Sequence, residues 1–262
     1  MNKFFTDDDF ANPDYQQITL ELEDIYYKTG RKEHDPKTDT YNETGRKGEL
    51  YWSRKVEYPW ALLSSDAIRI DNGKIKCGLT LHNKKTLLNK IKILDVGCGA
   101  SPLLPYLAKK GYDCCGITPD PNKPKGIKFH DGLHGYIPDL GNRIGVDIEF
   151  KRAGMEAIPY PDETFDKVYC ISVIEHVADD IMIAGAREMA RILKKGGLLT
   201  ITMDTHNPEV ELPRARKIIE ASGLQVYGET NFDFNNPYDC IKGTDRYRQG
   251  RYWVFGFVLE KR

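Results

Sequence analysis

Apolar and polar positions change their spacing several times along this chain, and each change predicts an element. In residues 14–28, Ile18, Leu20, Leu22, Ile25 and Tyr26 spread around one side of a helix. Residues 29–46 break that spacing with two T-G-R turns and the string D-P-K-T-D, which reads as a loop. In Y-W-S-R-K-V-E-Y-P-W-A-L-L, residues 51–63, Tyr51, Trp52, Tyr58, Trp60, Leu62 and Leu63 are too apolar for a free arm and are expected to pack on the main domain. Residues 68–81 read as a hairpin around Asn72-Gly73, or as a connector.

The densest pattern starts at Ile91. The run I-K-I-L-D-V, broken only by Lys92 and Asp95, suits a buried strand, and Gly97 and Gly99 end it in a tight turn. Pro102 suits the first helical position, Leu103, Leu104, Leu107 and Ala108 give the helix its apolar face, and Gly111 ends it. A second apolar run, Cys114 to Ile117, follows. Strand, glycine turn, helix, strand is half of a doubly wound α/β fold, whose ligands sit at the carboxyl ends of the strands. A side chain at Gly97 or Gly99 would hold such a ligand off the backbone. The dinucleotide pattern G-x-G-x-x-G is not met, since Pro102 occupies the third glycine position.

Residues 119–136 are rich in Pro and Gly and read as a loop, and His130 and His134 within it read as exposed histidines rather than a metal pair. Residues 137–144 suit a short helix, 146–150 a strand, and 165–172 a buried central strand. Ile181, Ile183, Ala184, Ala186, Met189, Ala190 and Leu193 recur at helical spacing over 179–193. Asp179 or Asp180 is the expected cap, and Lys194-Lys195-Gly196 the expected close, its charge facing the negative end of the helix dipole. Residues 212–222 predict a helix with Gly223 as C-cap, followed by strands over 224–229 and 252–259.

Composition narrows the classes. The 38 Lys and Arg against 39 Asp and Glu give no basic field, which argues against a nucleic-acid partner. The six cysteines include no C-x-x-C pair and read as buried thiols in a reducing compartment. No apolar run reaches membrane-spanning length, and the start, M-N-K-F-F-T-D-D-D, is acidic and unlike a signal peptide, so a cytoplasmic location is expected.

Four strings, in order, carry a resemblance. D-V-G-C-G-A-S-P at 95–102 resembles the first motif of class I S-adenosylmethionine (SAM) dependent methyltransferases. G-M-E-A-I-P-Y-P-D-E-T-F-D at 154–166 resembles their second stretch from Glu156 onward, V-I-E-H-V at 173–177 their end of the fourth strand, and L-K-K-G-G at 193–197 their entry to the fifth. The resemblance implies a mostly parallel seven-stranded sheet with an antiparallel last strand. Residues 89–262 would form the SAM-binding domain and residues 1–88 a helical or irregular N-terminal cap.

It also implies site residues. Asp95 would orient the glycine turn or accept the SAM ammonium, while Gly97, Cys98 and Gly99 let the methionine portion lie on the backbone. Thr118 or Asp120 would meet the ribose, in a place where the family offers an acid at the strand end. Gly154 stands where the family often has an Asp for adenine, leaving the backbone of Met155 and Glu156, or the face of Met155, for the base. Ser172 would lie under the cofactor, and Arg54 would either pair with a ligand carboxylate or belong to a ring cluster that anchors the N-terminal helix.

His176 is the leading general base, with a role as brace or cap as the alternative. Asp204 and His206, in T-M-D-T-H-N, form a second catalytic pair, read otherwise as two ligands of a divalent metal or as a polar loop; the loop is preferred to a metal site. The Tyr, Trp, Asp, Asn and Arg content of the expected acceptor pocket points to a small molecule or a glycan, methylated at oxygen. The segment R-K-V-E-Y-P-W, which contains Arg54, is similar to segments of methyltransferases associated with polysaccharide synthesis. The rival readings are a SAM-binding partner subunit without activity and a nucleotide-dependent oxidoreductase.

Overall fold

The computed structural model describes residues 2–28, 33–35, 40–42, 54–78, 91–99, 101–119, 141–142, 144–205, 207–230, 233 and 253–262. The central sheet is built from β6 (Lys92–Val96), β7 (Asp113–Thr118), β8 (Ile148–Arg152), β9 (Phe165–Ile171), β10 (Leu193–Thr205), β11 (Gln225–Val226) and β12 (Trp253–Glu260). β8, β7, β6, β9 and β10 lie side by side and parallel, and β12 runs antiparallel to β10. The seven-stranded order with an antiparallel last strand is the one expected.

An eighth strand comes from the N-terminus. β1 (Lys3–Phe4) pairs with Phe255 and Gly256 of β12, while β11 pairs with Leu259 and Glu260, so the two short strands share one edge. Asn2 locks this corner. Its Oδ1 accepts the Val258 amide at 2.6 Å, and its Nδ2 donates to the Tyr227 carbonyl and the Thr230 hydroxyl at 3.1 Å each. The side chain is fully buried with its amide groups used.

Alternation along the strands sorts the core into two faces. Leu94, Val96, Val168, Cys170, Leu199 and Ile201 point to the face covered by two helices, here α5 (Asp179–Ile192) and α6 (Pro208–Ser222). Ile93, Cys114, Tyr169, Ile171, Val254 and Val258 point to the other, covered by α2 (Pro13–Lys28), α3 (Arg54–Ser64) and α4 (Leu103–Lys109), with the short α1 (Asp7–Ala11) between β1 and α2. In α2, Ile18, Leu22 and Ile25 are buried, but Leu20 is 67% exposed. At 100° per residue it stands nearly opposite Ile18, so it cannot join their stripe.

α3 is the element that places the site. It contains Pro59, which has no amide hydrogen for the Lys55 carbonyl; the Thr19 hydroxyl of α2 takes that carbonyl instead at 3.0 Å. Trp60 lies edge-on to Phe5 with ring centroids 5.6 Å apart, against Gly256 of β12, where a Cβ would come within 2.5 Å of the indole. The end of α3 is held on the sheet: the Ser65 hydroxyl meets Tyr169 Oη at 2.7 Å, Lys167 Nζ donates to the Ser65 carbonyl, and Tyr112 Oη donates to the Ala67 carbonyl.

Several local expectations differ. Residues 33–35 and 40–42, read as loop, pair as the hairpin β2 (Glu33–Asp35) and β3 (Thr40–Asn42). The Asn72-Gly73 hairpin forms between β4 (Ile68–Asp71) and β5 (Lys74–Cys77), both turn residues having positive φ. Pro102 is the N-cap of α4, one residue before the position expected. α5 is capped by Ala178 without a side-chain bond, because Asp179 is engaged by Arg214 at 3.0 Å and Lys217 at 2.8 Å. Lys194 and Lys195 do not close α5, since strand β10 begins at Leu193 and carries a bulge before Leu198. The cation at that end is Lys261, whose Nζ donates to the carbonyls of Ala190, Arg191 and Leu193 at 3.0, 3.3 and 2.7 Å. Gly223 caps α6 in the left-handed conformation as expected, but the strand after it spans Gln225–Val226 alone.

Candidate active site

The carboxyl ends of β6, β9 and β10 converge under α3. At the end of β6, Gly97 and Gly99 have φ of 74° and 48°, and a Cβ on Gly97 would come within 2.5 Å of Val173. The amides of Gly97 and Cys98 both donate to the Ile117 carbonyl, at 2.8 and 3.1 Å, which ties the turn to the end of β7. The Cys98 thiol turns inward and donates to the same carbonyl at 3.3 Å. A bond joins Tyr58 of α3 to Ser101 just past the turn, and Ser101 Oγ accepts the Leu103 amide at 3.0 Å.

Asp95 is 3% exposed, and among the described residues no hydrogen-bond donor reaches its carboxyl. Burial raises it to about 8, against the pull of the Arg54 guanidinium. A glycine turn with no room for a Cβ at Gly97, beside a buried carboxyl that no described donor occupies, fits the amino-acid end of an ammonium-bearing cofactor.

The second half of the site is a polar network around Glu57. This residue is fully buried and carries the Arg54 guanidinium on Oε2, while Oε1 accepts from the Thr202 hydroxyl at 2.7 Å and from the Ser172 hydroxyl. Ser172 has φ of 47°, in the left-handed region where a non-glycine residue costs on the order of 1–2 kcal/mol. It is held there by its amide, which donates to the Thr202 carbonyl at 3.0 Å, and by its hydroxyl, which also reaches Asp204 Oδ1 at 3.2 Å. Burial and the Glu57 charge raise Asp204 to about 7, against Arg54 and the Ser172 bond.

Glu175 lies beneath. Its Oε1 accepts the Asp204 amide at 2.9 Å, while Oε2 is buried with no partner among the described residues, and burial with the Asp204 charge pushes its carboxyl well up. Its turn is held by Arg214, which donates to the Glu175 and Val177 carbonyls at 2.8 and 2.6 Å. His176 lies on this turn with its side chain 67% exposed and its Nε2 3.8 Å from Glu175 Oε1. Its imidazole is held below its usual range by partial burial and by the Arg54 and Arg214 charges, so it is neutral at pH 7.

The structure thus brings together Arg54, Ser172, His176 and Asp204, with Asp95, Gly97, Cys98 and Gly99 alongside. Thr118 is buried at the end of β7, its carbonyl accepting the Ala153 amide at 3.0 Å. Gly154 follows that contact, and a Cβ there would meet the Glu156 carboxylate at 2.2 Å. Met155 is 6% exposed and packed on Gly185 of α5, so its thioether belongs to the core. Asp120 and His206 lie outside the described residues, as do His130 and His134. Among the described residues no group of three or more His, Cys, Asp or Glu is placed to hold a metal. Glu57 and Thr202 were not found from sequence: their partners lie 145 positions apart, and the only local hint was an acid inside a buried, ring-rich segment.

A separate cleft of about 490 Å³, lined by Arg187, Arg191, Lys261 and Arg262 among others, lies where α5 and α6 end. That is the amino side of the parallel strands, away from this network.

Residues 94–201 match the protein family described as Methyltransferase domain. That stretch is similar to a methyltransferase domain, in agreement with the class I, SAM-dependent resemblance of the motifs at 95–102 and 154–166. It is 30% identical over 186 residues to the human mitochondrial ubiquinone biosynthesis O-methyltransferase, covering 57% of this chain and 48% of that protein. It is 32% identical over 138 residues to norajmaline N-methyltransferase of Rauvolfia serpentina, covering 49% and 42%. The chain spans about half the length of the curated relatives it matches. In fold it is similar to geranyl diphosphate C-methyltransferase of Streptomyces coelicolor A3(2), with a TM-score of 0.52 at 12% identity, covering 96% of this chain and 99% of that one. Among the described residues no helix is long and apolar enough to cross a membrane.

The titrations set a pH dependence of stability. Asp95 and Asp204, raised to about 8 and 7, hold protons in the folded chain that the unfolded chain releases near pH 4. The folded state binds more protons across this window, so the stabilisation is complete below pH 4 and is lost as pH rises through 7 and 8. His176, lowered, works weakly the other way, while Lys167, lowered to about 8, acts only above that pH. The ligand-free protein is expected to melt about 5 °C lower at pH 8 than at pH 5.5. Asp204→Asn should flatten the slope, and a melting temperature that rises over this interval would contradict the titrations.

Proposed function

We propose that the chain transfers the methyl group of SAM to a hydroxyl of a small-molecule acceptor, in its finer form a sugar or glycan, in the cytoplasm. The observation that carries this is the neutral, exposed imidazole of His176 beside the buried Glu57, Ser172 and Asp204 network, at the strand ends that also hold the glycine turn. SAM, a sulfonium, supplies an activated methyl group. The chain would supply the rest. Asp95 takes the ammonium, the Gly97 to Gly99 turn gives the methionine portion its backbone approach, and the ribose falls to Thr118 at the end of β7, or to Asp120 two positions later in the sequence. The backbone over Gly154 to Glu156 meets the base.

Arg54, on the other side, is set to meet a carboxylate of cofactor or acceptor once Glu57 has fixed its position. His176 accepts the acceptor's hydroxyl proton, since an alcohol must lose it as the new carbon–oxygen bond forms. Residues 1–88 act as cover and residues 89–262 as the methyltransferase domain, with α3 closing the roof of the site.

Oxygen is favoured over nitrogen because a hydroxyl needs a base and His176 offers one. The relatives support methyl transfer without choosing the atom, one being named for oxygen and one for nitrogen. The test is turnover of labelled SAM over a panel of sugars, phenols and amines. Label appearing in a sugar or another hydroxyl acceptor supports the proposal. Transfer confined to amines contradicts the oxygen assignment, and SAM binding without transfer to any acceptor favours a partner subunit without activity.

A further inference from the structure

The Glu57 network contains a hydrogen-bonding problem whose solution has a functional consequence. Ser172 Oγ lies within bonding distance of Glu57 Oε1 and, at 3.2 Å, of Asp204 Oδ1. A hydroxyl has one proton to donate, and an ionised carboxylate has none. With both acids ionised, one of the two contacts would set lone pairs against lone pairs. The geometry closes only when one acid is protonated and donates to Ser172 Oγ, which in turn donates to the other.

The surroundings decide which acid is which. Glu57 receives Arg54 on one oxygen and the Thr202 and Ser172 hydroxyls on the other, so it is the anion. Among the described residues the Asp204 carboxyl receives only the Ser172 contact, and it belongs to a cluster poor in cations. Facing it are Glu57 and Arg54 from α3 and Ser172 and Glu175 from the turn after β9, while the same Arg54 acts on His176 of that turn and on Asp95 of β6. Among the described residues Arg54 is thus the guanidinium set against these four acids, while Arg214 reaches the turn through the Glu175 and Val177 carbonyls and acts on His176.

We propose that Asp204, Ser172 and Glu57 share one proton at the floor of the cofactor cleft, and that Asp204 gives it up when the cationic cofactor binds. Glu57 and Ser172 are then positioning residues. They keep Asp204 neutral while the cleft is open and leave it ionised once a sulfonium sits above it. On release the Asp204 O–H bond breaks, its electron pair stays on the carboxylate, the proton goes to solvent, and Ser172 keeps its own proton on Glu57, so the Ser172–Asp204 contact is given up. The added positive charge of SAM compensates the new anion, which then lies next to the place where the acceptor's proton must go. The inference rests on the reading that SAM is the cofactor.

The experiment is calorimetric titration of the full chain with SAM at pH 6, in buffers of different ionisation heats, which counts protons released per SAM bound. The wild type is expected to release protons, and Asp204→Asn to release about one fewer; Asp95→Asn separates the contribution of the other protonated acid. A heat that does not depend on buffer overturns the proposal, as does a release unchanged by Asp204→Asn. Should Asp204→Asn not bind SAM, Glu57→Gln serves instead, since a neutral residue 57 lets Ser172 donate to an already ionised Asp204. Reduced release supports the shared proton, and undiminished release overturns it. SAM binding without proton release defeats this inference alone, whereas no SAM binding by the wild type defeats the cofactor reading and this inference together.

Discussion

Glu57→Ala is expected to destabilise the protein by about 3–5 kcal/mol at pH 7, measured by urea unfolding. The side chain is fully buried and satisfies three donors from two directions: Arg54 within its own helix, and Ser172 and Thr202 from the sheet. Truncation leaves a guanidinium and two hydroxyls facing a void in low-dielectric surroundings. Each lost partner exposes the desolvation already incurred by the group that remains. Ser172 would suffer most, because its left-handed backbone is held partly through the hydroxyl bond to Glu57. Glu57→Gln keeps the shape and should lose about half as much or less, which separates the role of charge from that of packing. A loss under about 1 kcal/mol for Glu57→Ala would show that the network does not hold α3 on the strand ends.

His176→Ala is expected to lower kcat by about 10²–10⁴-fold with SAM affinity nearly unchanged. The imidazole is neutral at pH 7 and largely exposed, and its 3.8 Å approach to Glu175 Oε1 is longer than a hydrogen bond, so truncation should leave the fold intact. The bracing role weighed from sequence falls to its neighbour: Glu175 holds the Asp204 amide and, through its carbonyl, Arg214. The rate with His176 in place should rise with pH through the imidazole's titration, below its usual range, and that limb should vanish in the variant. An unchanged kcat would remove His176 from the mechanism and leave Asp204 as the base.

The parts legible in the sequence are those whose physics is local. The glycine turn after β6 shows itself because only glycine suits its positive φ and its contact with Val173. The Asn72-Gly73 hairpin and the Gly223 cap are read for the same reason. The apolar stripes of α4 and α5 and the two-residue alternation of the strands carry their own direction. The parts that were not legible join distant segments. β1 is two residues long and shows no period, and its place on β12 is fixed by Asn2, whose bonds reach 225 to 256 positions along the chain. Lys261 outcompetes Lys194 and Lys195 for the end of α5 because β12 brings it there.

The same holds within the site. Asp95 and His176 lie within strings that carry the methyltransferase resemblance, Ser172 directly precedes one of them, and Asp204 sits at a strand end, so they could be named. Glu57 sits in the middle of α3, where sequence shows only an acid among rings, and its partners are 115 and 145 positions away. Arg54 was read either as a ligand contact or as part of an anchoring ring cluster. The structure gives it Glu57 as its partner, with Tyr58 at 5.9 Å beneath the guanidinium. Charge compensation of a buried acid thus accounts for a basic residue at that position, whatever it later offers to a ligand.

The turn after β6, with Asp95 behind it and the Glu57 network beside it, is expected to bind SAM. Direct titration of the chain with SAM, and in parallel with NAD, tests it most simply. Saturable binding of one SAM per chain, with no binding of NAD, is the result predicted. Failure to bind SAM, or binding of NAD in its place, would contradict it.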